Sequence, residues 1–142
     1  MIFDPLRKKN VALTPEERVR QWFIGVLHEN MGVPIGLMMS EVGMKFGQVQ
    51  DGIHGGRQKT FRADILVYDR KGKPLLVVEC KRPEVAIDSE VLGQVLKYGA
   101  LLGVRFIAVT NGTATYIAGK DGEGKLHFLS EMPGYEEMTR YE

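Results

Sequence analysis

Asp64, Glu79 and Lys81 are the residues of this chain best typed and spaced to do chemistry. They interrupt two apolar runs, Ala63-Asp64-Ile65-Leu66-Val67-Tyr68 and Leu75-Leu76-Val77-Val78-Glu79-Cys80-Lys81, at positions where hydrophobic side chains are expected. The polar segment Asp69-Arg70-Lys71-Gly72-Lys73-Pro74 between them reads as a hairpin turn centred near Lys71-Gly72. Asp64 and Glu79 are equidistant from that centre, so symmetric pairing sets them opposite one another with Cβ atoms about 5 Å apart. Side chains alternate along a strand, which joins Lys81 to Glu79 and Asp64 on one face and turns Cys80 and Ala63 to the other. Opposed carboxylates repel more strongly as water is excluded and call for a cation. Hard oxygen ligands without a neighbouring Cys/His set suit Mg²⁺ or Mn²⁺ over Zn²⁺, and Mg²⁺ commonly uses one or two carboxylates with waters and substrate phosphates. The pattern points to phosphate chemistry, with an ordinary ion pair of Lys81 at a sheet end as the plainer alternative.

The elements that must position these residues are legible on either side. Thr14-Pro15-x-Glu17 opens a helix with an N-cap, a proline in the first turn and a capping-box glutamate, and Val19, Trp22, Phe23, Val26 and Leu27 recur at helical spacing up to a stop near Met31-Gly32. Glu17 has two readings: it closes the capping box, the preferred one, or it extends the acidic site. Ile35 to Met44 and Phe61 to Tyr68 read as strands, joined by a long glycine-punctuated connection, 47–57, that either closes over substrate or is a loose hairpin end. Glu41 on the first of these strands is read as a solvent-facing edge residue in preference to an extra site carboxylate.

After Lys81, Arg82-Pro83 ends the strand, and Asp88 or Ser89 caps a helix whose Val91, Leu92, Val95, Leu96, Leu101 and Leu102 are expected to face a core. Gln94 and Tyr98, at i and i+4, share one face of it. Arg105 to Thr110 is a buried strand, and Asn111-Gly112 a tight turn into Ala114 to Ala118. The resulting order, α-β-β-β-α-β-β, fits an α/β domain with a mixed sheet flanked by helices. The tail beyond Glu131 is expected to be a short helix or disordered.

With 142 residues and 44% hydrophobic content, the chain is long enough for one domain, expected to span 1–142 with its core at about 14–118 and a C-terminal extension at 119–142. A single cysteine excludes an internal disulfide framework. No apolar run approaches the roughly 18 residues of a membrane span and the start lacks a signal-peptide core, so a cytoplasmic protein away from membranes is expected. The net charge of +1 leaves nucleic-acid affinity to a local patch. Arg57, Lys59, Arg62, Lys81 and Arg82 could line a groove for a phosphate backbone, or be ordinary solvated cations. Gly119 to Leu126 has P-loop spacing, but Leu126 replaces the required hydroxyl residue and a strand follows, so it reads as a hairpin loop. His28, His54 and His127 show no zinc-ligand spacing.

Asp64 followed by Glu79-x-Lys81 after a short hairpin resembles the signature of the PD-(D/E)xK nuclease superfamily, although Ala63 stands where the motif's name has proline. Gln94-x-x-x-Tyr98 resembles the QxxxY element of its RecB-like branch, and Thr14 to Gln21 resembles the opening helix of the N-terminal nuclease domain of type I restriction enzyme R (motor) subunits. The resemblance covers roughly residues 14 to 110. It implies a restriction-endonuclease-like fold with an α-β-β-β-α-β core and a metal-dependent endodeoxyribonuclease. In that reading Asp64 and Glu79 bind Mg²⁺, for which Mn²⁺ could substitute, with the Cys80 backbone carbonyl as a further ligand. Lys81 orients the attacking water or stabilises charge on the phosphate, Gln94 and Tyr98 position the backbone or the water, and Arg82 contacts phosphate. Glu17 would be the acidic residue of the first helix. The implied partners are DNA, a helicase-type motor, and specificity and methylation subunits, and nothing resembling the motor is read in this sequence. The rival reading, from another class, is a non-catalytic nucleic-acid-binding or assembly module that retains the fold. DNA against RNA, and one metal against two, stay open.

Overall fold

Six strands form one mixed sheet with a helix packed on each face. The computed structural model describes residues 1–46 and 59–140, so the glycine-rich connection, His54 and Arg57 lie outside the described residues. The strands β3 (Met38–Phe46), β4 (Lys59–Tyr68), β5 (Pro74–Cys80), β6 (Phe106–Thr110), β7 (Thr115–Lys120) and β8 (Leu126–Phe128) lie side by side in chain order. All neighbours are antiparallel except β5 and β6, which are parallel. A parallel pair needs a crossover, and the helix α2 (Ser89–Leu102) supplies it. A separate two-stranded hairpin, β1 (Ile2–Asp4) with β2 (Lys9–Val11), precedes α1 (Pro15–Gly25) in a stretch where the sequence pattern signals no element.

Helix α1 starts where its cap predicts: the Thr14 hydroxyl accepts the Glu17 amide at 3.1 Å, and Pro15 occupies the first turn. Beyond Gly25 the chain continues as a π-helical turn, Val26–Asn30, before Gly32 at φ 74° breaks it. Val19, Phe23, Ile24 and Leu27 bury against Ile65, Val67, Leu76, Val78 and Cys80 to form one core cluster. The C-terminal helix α3 (Tyr135–Thr139) adds Tyr135 and Met138 to it, with the Tyr135 hydroxyl donating to the Tyr68 carbonyl at 2.8 Å. Residues 35–37 form a 3₁₀ turn, so β3 begins at Met38, later than the sequence pattern suggests.

The second cluster lies under α2, which is capped by the Asp88 carboxylate on the Val91 amide at 3.0 Å and terminated by Gly103 at φ 67°. Val95 and Gly99 are its buried positions, and Leu101, expected in the core, is 47% exposed. The reason is register. Val95, Gly99 and Leu102 follow i, i+4, i+7, which turns Leu101 off the sheet. A Cβ at Gly99 would come within 2.6 Å of Leu126 Cδ1 and 2.9 Å of Ile107 Cγ2, so the helix sits on the sheet through its missing side chain.

One irregularity bears on the site. The β3–β4 ladder pairs Ser40 with Ile65 and Val42 with Ala63, but skips Glu41 and Asp64 between them, and Glu41 has φ 55°. The β4–β5 ladder stops at Ile65 with Val78. Ala63 consequently packs in the α2 cluster while Cys80 packs in the α1 cluster, which corrects the expectation that both turn to one face. The pleat is interrupted at Asp64, so simple alternation does not carry across it. No helix among the described residues is long and apolar enough to cross a membrane.

Candidate active site

Asp64 sits where β4 separates from β5, and its carboxylate takes over the hydrogen bond that the ladder no longer makes. Oδ2 accepts the Cys80 amide at 2.6 Å. Oδ1 accepts Arg20 Nη2 from α1 at 3.1 Å. Burial pushes the Asp64 carboxyl above its ordinary range; the Cys80 amide and the Arg20 charge pull it back, and the charges of Glu16 and Glu79 push it further up. Ile65 and Val78 are the last paired residues, so Asp64 and Glu79 lie on neighbouring strands just beyond the end of the ladder, close enough for the Glu79 charge to act on Asp64. Glu79 is in turn held by Lys81, whose Nζ lies 3.0 Å from Oε1, both side chains being half-buried. The Cys80 side chain lies in the core, and burial pushes its thiol up, so it is no nucleophile.

Arg20 was missed in the sequence. It is 5% exposed, and its guanidinium spans three carboxylates: Asp64, Glu41 at 3.2 Å and Glu17 at 3.4 Å. The available signal was its position, because Arg20, Phe23 and Ile24 share the apolar stripe of α1 that Leu27 continues in the π-helical turn, a place for a charge only when the charge is paired. Arg7, from the N-terminal hairpin, was missed as well. It donates to Glu17 and to the fully buried Asp4, and its Nη1 lies 3.6 Å from Glu41. Burial raises the Asp4 carboxyl, but the bonds from Arg7 and from the Leu6 amide outweigh it and hold the group below its ordinary range.

Glu17 is capped by Thr14 through its amide, but its carboxylate makes no return bond to the Thr14 amide among the described residues. It is engaged instead by Arg7, Arg20 and, at 3.1 Å, Gln21. The capping box is therefore half formed, and Glu17 belongs to the acidic cluster. Glu41 is exposed on the edge strand β3, as its preferred reading has it, and it joins the charged cluster as well. Its left-handed backbone aims the carboxylate at Arg20, Arg7 and Arg62, and these cations hold it below its ordinary range against the opposing effect of burial. Left-handed backbone at a non-glycine residue stores strain of the kind found at functional sites. Glu16, half-buried, lines the same cleft of about 410 Å³ as Arg7, Glu17, Arg20, Glu41 and Asp64.

Of the remaining described candidates, Arg62 lines the same cleft, whereas Gln94, Tyr98, Lys59 and Arg82 do not. Tyr98 packs its ring on Phe61 at 4.9 Å and edge-on to Phe46 at 6.0 Å, on the α2 side of the sheet. Gln94 is exposed one turn earlier, with no hydrogen-bond partner among the described residues. Arg62 is exposed and pairs with Glu41 at 3.5 Å, Arg82 pairs with Glu84 at 3.0 Å, and Lys59 is exposed at the start of β4. The P-loop-like segment is a hairpin loop in which Asp121 accepts the Glu123 and Lys125 amides.

A six-stranded mixed sheet flanked by helices in this order is the restriction-endonuclease-like nuclease fold, and it carries Asp64 on β4 and Glu79 on the adjacent β5. The chain belongs to the family described as type I restriction enzyme R protein N terminus (HSDR_N), whose model matches residues 15–133. It is similar to the fragment structure of a protein assigned as the HsdR subunit of a type I restriction enzyme from Vibrio vulnificus YJ016, with 26% identity and a TM-score of 0.59. That match covers 92% of this chain and 25% of the other, so the chain spans about a quarter of the length of that relative. It also shares its fold with a protein assigned as a nuclease of the DUF820 group from Anabaena variabilis ATCC 29413, at 10% identity and a TM-score of 0.52, covering 94% of this chain and 79% of the other. No curated protein matches the chain.

Proposed function

We propose that this chain is a Mg²⁺-dependent DNA endonuclease domain, the nuclease part of a type I restriction R subunit or a free-standing relative. The single observation that supports the reading is Asp64 on β4 and Glu79 on the neighbouring β5, with Lys81 3.0 Å from the Glu79 carboxylate, in a chain of this family.

The donors fit a hard divalent cation. Asp64 and Glu79 offer carboxylate oxygens from neighbouring strands, and the Cys80 carbonyl stands between Glu79 and Lys81 in the chain. Among the described residues no three His, Cys, Asp or Glu side chains group as metal ligands. Two carboxylates with waters and a substrate phosphate are what Mg²⁺ typically takes, and Mn²⁺ would substitute. When bound, such a cation polarises the scissile phosphate and lowers the pKa of a coordinated water.

The chain's own residues would do the rest. Lys81 would orient the attacking water or stabilise charge developing on the phosphate. Gln94 and Tyr98 would position the nucleic-acid backbone, and Arg57, Lys59, Arg62 and Arg82 would contact phosphates, Arg62 on release from Glu41. Partners supplying translocation and sequence choice would be a helicase-type motor with specificity and methylation subunits. The family and the HsdR relative support this context.

One observation favours a rival. Glu17, Glu41 and Asp64 are all paired with arginines of the same chain, as in a module that keeps the fold and binds nucleic acid without cutting it. Incubating the domain with supercoiled plasmid and Mg²⁺ or Mn²⁺, beside Lys81→Ala, separates the two. Metal-dependent nicking lost in the variant is expected; no cleavage, together with no calorimetric Mn²⁺ binding that Asp64→Ala abolishes, leaves the binding module.

A further inference from the structure

We propose that Arg20 is the positioning residue of this site: its guanidinium locks the Asp64 carboxylate in the one orientation that also engages the Cys80 amide, and sets Glu41 beside it. The argument rests on the division of its nitrogens. Nη2 serves Asp64 alone, while Nη1 is shared between Glu17 and Glu41. Arg7, itself fixed by buried Asp4, holds those same two glutamates from the other side. The alternating chain Asp4, Arg7, Glu17 and Glu41, Arg20, Asp64 thus transmits the placement of the N-terminal hairpin to the site. A planar fork with fixed donor directions suits this work, whereas a lysine ammonium is a single point charge.

Two irregularities mark the arrangement as built for placement. Arg20 Nε is buried without a hydrogen-bond partner among the described residues, so the fork is aimed at the carboxylates at the expense of its own third donor direction. Glu41 reaches the fork only from a left-handed backbone inside a strand. With Asp64 Oδ1 tied to Arg20 and Oδ2 to Cys80, neither oxygen can rotate, and the lone pairs left over keep a fixed direction.

The Cys80 amide is a reporter of this placement that needs neither metal nor substrate. In ¹⁵N-labelled protein, hydrogen exchange at Cys80 should be at least tenfold faster in Arg20→Met than in wild type, with the neighbouring core amides of Val78 and Val109 nearly unchanged. Arg20→Lys, one charge facing three carboxylates, should show the same local pattern with a smaller rise, and carries the test if the methionine variant does not fold. Both variants should lower kcat for plasmid cleavage while leaving KM for DNA within about threefold. Uniform acceleration of all sheet amides would make Arg20 merely structural, and an unmoved Cys80 amide would remove the proposal altogether. The proposal rests on Asp64 as a working carboxylate of the nuclease. A wild-type domain that does not cut counts against that reading, whereas an active enzyme with an unmoved Cys80 amide counts against Arg20.

Discussion

Two aspartates five residues apart, Asp64 within β4 and Asp69 just beyond its end, show how the same side chain serves opposite purposes. Asp69 closes the β4–β5 turn. Its Oδ1 accepts the Lys71 and Lys73 amides at 2.9 Å each, and those bonds, Lys73 first, hold its carboxyl below the ordinary range. Asp64, at the other end of the hairpin, is pushed above that range by burial and by the Glu16 and Glu79 charges, in spite of Arg20 and the Cys80 amide. One carboxylate stabilises the fold by being ionised and the other is ionised at the fold's expense. Groups held against their preferred ionisation cluster at functional sites, whereas a carboxylate satisfied by turn amides is an element of structure.

The largest test of that contrast is activity. Asp64→Asn should reduce metal-dependent plasmid cleavage by about 100-fold or more, while Asp69→Asn should leave it within a few-fold of wild type, both read by gel quantification of nicked product. If the two variants lose activity alike, the distinction between them fails.

Stability should run the other way. Asp69→Ala, which strips two amide bonds from an ionised acceptor, should cost about 1 to 2 kcal/mol at neutral pH in urea unfolding. Because the folded carboxyl of Asp69 is depressed, its contribution is present above the unfolded value of about 3.9 and is lost as pH falls through the lower folded value. The penalty of Asp69→Ala should therefore shrink below about pH 4.

A divalent cation sharpens the comparison from the side of the ligand. Mg²⁺ at ten times its dissociation constant should stabilise wild type by about 1.4 kcal/mol, seen as a rise in Tm, and should stabilise Asp69→Asn as much but Asp64→Asn hardly at all. The smallest effect concerns pH alone. Since the folded carboxyl of Asp64 is raised, its contribution is complete below about 3.9 and is lost as pH rises through the raised value. Without metal, Asp64→Asn should match wild type at about pH 3 and become the more stable of the two near neutrality. A wild type that stays the more stable at pH 7 would show Arg20 outweighing burial.

Much of the fold was legible in one dimension. The cap at Thr14, the turn at Lys71-Gly72, the buried run Phe106 to Thr110 and the cap at Asp88 are each written within a few residues, and the structure has them in place. The N-terminal hairpin was not, because three-residue strands with exposed lysine and asparagine carry no periodicity to detect. Asp64 and Glu79-x-Lys81 stood out in the sequence as charges within apolar runs, and the hairpin sets Asp64 and Glu79 on neighbouring strands. Tyr98, read as a positioning residue, is packed between Phe46 and Phe61, and nothing in the i, i+4 spacing of Gln94 and Tyr98 indicates which aromatic rings its face would meet.

The sequence by itself determined most of the strands and helices of the sheet domain and set Asp64 and Glu79 on neighbouring strands, since alternation, helical period and turn chemistry are short-range rules acting on neighbouring residues. Only the tertiary structure decided what surrounds that pair. Arg20 lies 44 residues from Asp64 in the chain and 21 from Glu41, and Arg7 lies 10 from Glu17. A buried charge can be held by any opposite charge that packing delivers, so its partner is chosen by how α1 and the N-terminal hairpin dock on the sheet, and no local pattern contains that choice.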